Sequence, residues 1–387
     1  MIDNITIQNY KSIKKLSIDL GRINVFIGAN GSGKSNILEA MAIGAAAANR
    51  KLDNEFLALR GIRISDPRLM RNAFDLEDTD KAITISFKKG NDDREYILSN
   101  DNANYSKWEV EDSKLKKNMQ LRLKLDNIRD RNRSALSQPK PKSFQDNFDK
   151  FFIDYFNEIY LNPISKYLEN FIIYSPENNK LRKFEDESKI EPLGIYGEGL
   201  FKLIKSMDDA ELETLKANLN IIDWFEDFSI RDDLSTNERK IQLKDRYIDD
   251  NISFFDQRSA NEGFLFLLFY LSLLISKYTP KVFGIDNIDN ALNPKLCKDL
   301  LKCFVKLSEK NDRQVLLTTH NPAILDGMNI NNPTQRLFVV FRNLEGITKI
   351  KRIDSKSFDY DGNVRLSEAF ARGYIGGLNE NMMQSRA

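Results

Sequence analysis

The sequence has few histidines and cysteines, and its positive and negative side chains nearly balance. Its 387 residues include a single histidine, His320, and no nuclease motif of the HNH kind is present. The two cysteines, Cys297 and Cys303, make no disulfide framework, and a reducing, cytoplasmic setting fits this count. Lysine and arginine number 58 against 57 aspartates and glutamates, and the net charge of +1 argues against a globally basic nucleic-acid binder.

The sequence also lacks an apolar run long enough to cross a membrane. The most apolar stretch, FLFLLFYLSLLI at residues 264–275, is shorter than the roughly 20 residues that a bilayer needs, so it predicts a buried core helix. Residues 1–20 alternate apolar and charged side chains, which is not the pattern of a signal peptide. With 41% hydrophobic and 30% charged residues, a sizeable core under a charged surface is expected.

Alternating strand and helix patterns predict an α/β chain in three parts. Residues 1–99 contain a hairpin-like strand pair, the apolar strand INVFIG, a helix from about Lys34, and a second strand pair. Residues 100–170 predict a helical insertion. Residues 171–387 return to α/β character, with a long helix from Glu262 and strands at KVFGID and QVLLTTH.

Part of the predicted insertion is strongly basic. Residues 113–142 hold ten lysines or arginines and two aspartates, a local net charge of +8. Because lysine and arginine contacts to phosphates dominate non-specific DNA affinity, this segment is a candidate nucleic-acid contact. A solvated helix face is the equal alternative.

Residues 28–35, GANGSGKS, match the P-loop pattern with full spacing, between an apolar strand and a helix. The glycines let backbone N–H groups close around phosphate oxygens, and the helix N-terminus adds its positive end. Lys34 is expected to reach the β- and γ-phosphates of a nucleotide, and Ser35 to ligate Mg²⁺. An ordinary glycine-rich turn is the alternative, which eight matched positions disfavour. The predicted nucleotide-binding residues of this loop are Asn30, Gly31, Ser32, Gly33, Lys34, Ser35 and Asn36.

Several ordered segments resemble the ABC-type ATPase heads of the SMC and RecF group, and especially the AAA-family ATPases of bacterial anti-phage defence and repair operons. They are the N-terminal ITIQNYKSIKKLSIDLGRINVFIGANGSGKSNILEAM, the signature-like SANEGFLFLL, the Walker B and D-loop segment VFGIDNIDNALNP, and the switch-histidine strand LLTTHNP. The resemblance implies an α/β P-loop NTPase fold of the ABC-ATPase type, with an antiparallel N-terminal β subdomain and a helical insertion. It also implies ATP and Mg²⁺ as ligands.

Three residues that follow predicted core strands are the catalytic candidates. By resemblance, Asp286 holds Mg²⁺ together with Ser35, and His320 takes the position of the γ-phosphate sensor; a surface or core histidine is the alternative. Asn287 stands where the family normally has a glutamate that polarises the attacking water. An amide cannot take a proton at neutral pH, and loss of a general base typically costs about 10²–10⁴-fold in rate. ATP binding is therefore expected to survive better than hydrolysis, and Asp289 is expected to belong to the D-loop at a dimer face.

A signature-like segment precedes the apolar helix. Ser259, Glu262 and Gly263 surround a helix N-terminus whose exposed N–H groups are expected to bind a phosphate. In the family this phosphate belongs to the ATP held by the other subunit, which implies an isologous homodimer closed by two ATPs. A plain helix cap made by Ser259 or Asn261 is the alternative.

The resulting hypothesis is a slowly hydrolysing, cytoplasmic ATPase head. Its ATP-closed homodimer is expected to regulate or scaffold a separate effector, such as a nuclease, in anti-phage defence or DNA repair, with no membrane partner. A self-sufficient, DNA-binding SMC- or RecF-like clamp is the alternative, and salt-dependent DNA binding distinguishes the two. Two further segments resemble the family more weakly, namely Glu177 in the region of the Q-loop and YGEGLFKLI at residues 196–204.

Overall fold

A computed structural model describes most of the chain outside the central insertion. The described residues are 1–103, 106–114, 116–117, 162–184, 193–230, 239–249, 254–355 and 364–376. The basic residues 118–142, and the part of the predicted helical insertion that follows them up to residue 161, therefore lie outside the described residues.

Strands and helices alternate through the described part of the chain. The strands are β1 (Asn4–Tyr10), β2 (Ile13–Asp19), β3 (Ile23–Ile27), β4 (Ile83–Lys89), β5 (Asp92–Ser99), β6 (Glu109–Asp112), β7 (Ile173–Tyr174), β8 (Phe225–Ile230), β9 (Ile241–Asp245), β10 (Phe255–Asp256), β11 (Val282–Ile285), β12 (Gln314–Thr319), β13 (Gln335–Arg342) and β14 (Thr348–Ile353). The α-helices are α1 (Lys34–Ala48), α2 (Asn54–Ala58), α3 (Pro67–Met70), α4 (Pro163–Leu168), α5 (Asn178–Arg182), α6 (Leu200–Ser206), α7 (Asp209–Leu219), α8 (Glu262–Ile275), α9 (Pro294–Lys310) and α10 (Leu366–Ala371). Short 3₁₀ helices span Leu76–Thr79 and Pro322–Gly327.

The chain divides into two units. The first comprises Met1–Asp19, Ala40–Leu57 and Ile64–Glu169. The second comprises Leu20–Glu39, Ala58–Arg63 and Asn170–Ala387. The three consecutive parts predicted from the sequence remain a prediction.

An antiparallel sheet in the order β2-β1-β4-β5-β6 forms the first unit. The predicted N-terminal strand pair is present, with Tyr10 opposite Ile13 across the turn. Alternate residues of β4 are buried, which is the period-two pattern of a sheet that covers a core on one face. β6 falls inside the range predicted to be helical and pairs with β5; a strand of four residues is too short to leave a clear pattern in the sequence.

A six-stranded, mainly parallel sheet forms the centre of the second unit. Its order is β14-β13-β3-β12-β11-β7, and β14 runs antiparallel to β13. Every residue of β3, β11 and β12 is buried, as expected for central strands covered on both faces. Because the parallel strands share one direction, their carboxyl ends open at the same edge, which is where open α/β sheets bind ligands. A smaller antiparallel sheet, in the order β10-β9-β8, belongs to the same unit.

The apolar helix predicted from Glu262 is a core element of the second unit. All residues of α8 from Phe264 onward are buried. The ring of Phe269 lies 5.8 Å from that of Tyr174 in β7, measured between centroids, so α8 packs against the parallel sheet. Among the described residues, no helix is both long and apolar enough to cross a membrane.

Close packing against α8 explains the glycine of the 196–204 segment. Gly197 has a φ of 94°, in the left-handed region that favours glycine. A Cβ at this position would lie 2.5 Å from Leu181 and 3.2 Å from Phe269. The segment therefore allows α5 and α8 to approach each other.

Candidate functional site

The carboxyl edge of the parallel sheet gathers the chemistry-bearing residues. β3 ends at the P-loop, β11 ends before Asp286, and β12 ends before His320. Thr319 pairs with Ile27, and Leu317 pairs with Ile285, so the three strand ends lie side by side. Candidates from distant parts of the sequence are thus neighbours in space.

The P-loop has the backbone of a phosphate-binding turn. Gly33 has a φ of 103°, which a residue with a side chain rarely adopts. A Cβ on Gly28 would lie 2.1 Å from the carbonyl oxygen of Val340, so β13 leaves no room for a side chain there. Thr348 Oγ1 donates to the carbonyl oxygen of Ser32 at 2.9 Å and ties the loop to β14.

The other loop candidates differ in exposure. Asn30 and Gly31 lie at the exposed tip, whereas Asn36 is half-buried on the first turn of α1, where its Oδ1 accepts a 3.4 Å hydrogen bond from Arg63. Ser32 Oγ is buried and meets no hydrogen-bond partner among the described residues. Such a group fits a loop that binds ligand oxygens, because buried polar atoms normally have a partner.

Lys34 lies buried beneath the loop, with 7% of its surface exposed. Its ammonium donates to the carbonyl oxygens of Gly28 at 2.9 Å and Ala29 at 3.0 Å. Burial lowers the pKa of this ammonium, and the carboxylates of Asp286 and Asp289 partly offset that shift. A buried cation below a glycine-rich turn fits an anionic phosphate group.

Two hydroxyl groups orient Asp286. Ser35 Oγ donates to Oδ1 and Oδ2 at 2.9 Å each, and Thr318 Oγ1 donates to Oδ1 at 2.5 Å. Thr318 Oγ1 also accepts the backbone N–H of Asn287 at 2.9 Å, so β12 holds the turn that follows β11. Hydroxyl and carboxylate oxygens are hard ligands of the kind that Mg²⁺ prefers, and Ser35 and Asp286 fit that ion.

Asn287 occupies a left-handed turn, with a φ of 54°. Asparagine adopts this conformation more readily than other residues with a side chain. The structure therefore supplies a backbone reason for asparagine at this position, beside the chemical consequence predicted from the sequence. The side chain of Asn287 is half-buried, and the residue directly follows Asp286 in the sequence.

His320 contacts the carboxylate of Asp289. Its Nε2 lies 3.4 Å from Oδ2, while Thr319 Oγ1 donates to Oδ1 at 2.6 Å. The Asp289 side chain is 4% exposed and that of His320 is 51% exposed. These two partners help to bury the Asp289 carboxylate within the chain, and the expected place of Asp289 in a D-loop at a dimer face remains a prediction.

The signature-like segment ends in a capped helix. Asn261 Oδ1 accepts the backbone N–H of Phe264 at 2.8 Å, so Asn261 is the cap of α8 and Ser259 is not. Arg182 of α5 donates to the carbonyl oxygens of Arg258 and Ala260, at 2.7 Å each, and holds the loop ahead of the helix.

The remaining signature candidates open α8. Glu262 is exposed, and a Cβ on Gly263 would lie 3.2 Å from the carbonyl oxygen of Ala291. Ser259 is exposed as well. Their role in phosphate binding remains a prediction. The Q-loop role of Glu177 also remains a prediction; this residue comes three positions after Tyr174 of β7, whose carbonyl oxygen accepts the backbone N–H of Asp286.

Sequence reasoning missed two residues that organise the site. Thr318 was read only as part of an apolar strand, although the threonine doublet before His320 is a local signal. Arg182 carries no local signal, because its partners lie in a loop that is distant in the sequence.

Comparison with known proteins identifies the family. Over residues 23–326 the chain matches the family described as "AAA domain, putative AbiEii toxin, Type IV TA system". The chain belongs to this family. A curated relative, the DNA replication and repair protein RecF of Lactobacillus acidophilus, is 46% identical over 41 residues, which make up 10% of this chain and 11% of RecF. The matched part is thus about a tenth of that relative's length.

A solved SMC head shares the fold. A crystal structure of an SMC head bound to the C-winged helix domain of ScpA has a TM-score of 0.53 and 16% identity, and covers 92% of this chain and 98% of that chain. The SMC head domain from Thermotoga maritima has a TM-score of 0.45 and 12% identity, and the match covers 91% of this chain and 99% of that chain. The SMC head with an extended coiled coil from Pyrococcus furiosus, bound to the C-terminal domain of ScpA, has a TM-score of 0.48 and 14% identity. The match covers 92% of this chain and 96% of that chain.

These matches confirm the predicted family resemblance and the predicted fold class. The chain has the α/β P-loop fold of the ABC-type ATPase heads of the SMC and RecF group. Membership implies that it binds a nucleotide.

Proposed function

We propose that this chain is an ATP- and Mg²⁺-binding head that hydrolyses ATP slowly. The observation that carries the proposal is the convergence of Lys34, Ser35, Asp286 and His320 on one sheet edge. Lys34 is suited to balance phosphate charge, and Ser35 and Asp286 are suited to hold the ion, which neutralises charge on the phosphates when bound. We expect the exposed His320 to meet the γ-phosphate.

Slow turnover follows from Asn287. Its amide cannot accept a proton from water, so a bound ATP is retained longer than in a head with a glutamate at this position. A long-lived ATP state suits a scaffold or regulator better than a motor.

The ATP-bound head closes into a homodimer. The N-terminus of α8, with Ser259, Glu262 and Gly263, contacts the phosphate of the nucleotide held by the other copy. The dimer regulates or scaffolds a separate cytoplasmic effector protein, such as a nuclease, in anti-phage defence or DNA repair. The toxin–antitoxin description of the family and the SMC head that binds a ScpA domain support a head that acts through a second protein.

Calorimetry with ATP and Mg²⁺, followed by sedimentation of the same samples, tests this proposal. We expect saturable ATP binding and a doubling of mass when ATP is present. Absence of ATP binding would refute the nucleotide site, and an unchanged mass would refute closure.

A second candidate function is a DNA-binding clamp. The local charge of +8 in residues 113–142 favours it, together with the DNA replication and repair role printed for RecF. Lys116 of this segment already pairs with Glu111 at 2.8 Å, so its charge is partly compensated within the chain.

A further inference from the structure

We propose that Asp289 and His320 act together as the base for the slow ATP hydrolysis of this chain, with Asp289 as a positioning residue that keeps the imidazole proton on Nε2. The inference rests on the proposed function, because it concerns the same nucleotide site. It answers a question that Asn287 raises, namely which group accepts the proton of the attacking water.

The geometry of the pair defines the tautomer. Thr319 Oγ1 donates to Oδ1 of Asp289 at 2.6 Å and fixes the carboxylate, which leaves Oδ2 facing Nε2 of His320 at 3.4 Å. An ionised carboxylate only accepts hydrogen bonds, so the neutral imidazole places its proton on Nε2. Nδ1 then keeps its lone pair and can accept a proton.

The surroundings of Asp289 leave His320 as its natural partner. Tyr270 of α8 and Cys297 of α9 interact electrostatically with the Asp289 carboxylate, and burial raises the pKa of both groups, that of Cys297 to about 11, so they stay neutral. Among the described residues, Lys34 also interacts electrostatically with the Asp289 carboxylate. We expect a bound nucleotide phosphate to take the Lys34 ammonium as its partner. His320 then remains as the partner of the Asp289 carboxylate.

The position of His320 suits contact with water beside the phosphates. Thr319 pairs with Ile27, so His320 follows at the level of Gly28, where the P-loop begins. Its side chain is 51% exposed, in contrast to the buried carboxylate behind it. An exposed imidazole backed by a buried, fixed carboxylate is the arrangement of a histidine base that a second residue orients.

The step balances without a further reactant. A water oxygen forms a bond to the γ-phosphorus, while the bond from that phosphorus to the β–γ bridging oxygen breaks. The water proton passes to Nδ1 of His320, and the carboxylate of Asp289 stabilises the imidazolium that results. ADP and phosphate leave, and the proton passes to solvent.

The single histidine of the chain makes the tautomer directly measurable. In tag-free protein labelled with ¹⁵N-histidine, every imidazole signal reports on His320. We expect the Nε2–H tautomer in the parent. In Asp289→Asn, the amide oxygen keeps the bond from Thr319 and the NH₂ group faces Nε2, so the proton moves to Nδ1. The same tautomer in both proteins would overturn the proposal, whether or not ATP turns over.

Phosphate release supplies the second readout. Asp289→Asn and His320→Gln are each expected to lower kcat about 10²-fold or more, with KM for ATP within about twofold of the parent. The double variant is expected to be no slower than the slower single variant, because the two residues act as one unit. Asp299→Asn on α9 removes a carboxylate that pairs with Lys302, and it is expected to leave kcat unchanged.

The outcomes separate this inference from the proposed function. A parent that binds ATP but releases no phosphate above background refutes the base and leaves the nucleotide site intact. If the parent binds no ATP, the proposed function is refuted. The tautomer measurement still decides whether Asp289 accepts a hydrogen bond from Nε2 of His320. Because His320 is half-exposed, the His320→Gln variant is expected to fold. It therefore keeps the kinetic test decisive even if Asp289→Asn fails to fold. A parental rate of phosphate release in His320→Gln overturns the proposal.

Discussion

Ser35 Oγ donates to both carboxylate oxygens of Asp286, at 2.9 Å each, although the two residues are 251 positions apart in the chain. Parallel pairing of β3 with β12 and of β12 with β11 brings them together. The hydroxyl and carboxylate therefore face each other. Such preorganisation lowers the cost of ordering the ligands when the ion enters.

Lys34→Ala is expected to abolish ATP binding. The buried ammonium hydrogen-bonds to carbonyl groups of the P-loop, the turn at which the phosphates are expected to bind. Calorimetry measures the affinity, with Lys302→Ala on α9 as a surface control that keeps parental binding. Unchanged affinity in Lys34→Ala would refute the assignment of the P-loop.

Thr318→Val is expected to weaken Mg²⁺-dependent ATP binding and to lower stability by about 1–3 kcal/mol. The substitution keeps the shape of the side chain but leaves the N–H of Asn287 without its acceptor and frees one side of Asp286. Thr318→Ser retains the hydroxyl and serves as the matched control. Titration of ATP with and without Mg²⁺ separates the two effects: equal losses in both series would mean that Thr318 does not act through the ion site.

Asn287→Glu is expected to raise steady-state phosphate release above that of the parent, because it adds a carboxylate beside Asp286. The gain is expected to stay below the 10²–10⁴-fold typical of a general base, since the left-handed backbone disfavours glutamate by about 1 kcal/mol. The ATP-bound dimer is expected to live for a shorter time.

Asn287→Ala provides the control for this change, because it shares the backbone strain without the carboxylate. Its melting temperature is expected to fall, with no gain in rate. Brisk turnover by the parent that collapses in Asn287→Ala would show instead that the amide positions water, and the slow-hydrolysis proposal would be wrong.

Gly263→Arg is expected to prevent the ATP-dependent doubling of mass in sedimentation, because it places a long side chain at the N-terminus of α8. Gly263→Ala adds only the Cβ, which meets the carbonyl oxygen of Ala291 at 3.2 Å, and is expected to retain the dimer. ATP affinity of the monomer, measured in parallel, verifies that each variant is folded. A dimer that persists in Gly263→Arg argues against closure through this segment.

Reversal of charge in the basic segment tests the DNA-binding alternative. A quadruple charge-reversal variant is expected to bind duplex DNA more weakly and with a flatter dependence on salt. It combines Lys116→Glu, Lys117→Glu, Arg122→Glu and Lys124→Glu. Fluorescence anisotropy across a salt series measures both quantities. Equal binding by variant and parent would assign the segment to a solvated face.

Local patterns in the sequence were sufficient for the elements that frame the site. The apolar strands β3, β11 and β12 occur where alternation and apolar runs predict them, and α8 begins at the predicted Glu262. The P-loop is contiguous, so its glycines, Lys34 and Ser35 are visible without any knowledge of the fold. The chemical deficit at Asn287 is also visible in the sequence, because the nature of a side chain does not depend on its neighbours.

Only the tertiary structure decided what these residues contact. The burial of Asp289 against Thr319 and His320, the Thr318 hydroxyl shared by Asp286 and Asn287, and the left-handed turn at Asn287 all depend on the register of β11 and β12. Register is set by how the whole apolar core packs, since a shift of one residue moves every side chain to the opposite face of the sheet. A sequence pattern reports which face of its own element is apolar, and the partner across the sheet is chosen only when distant strands pair.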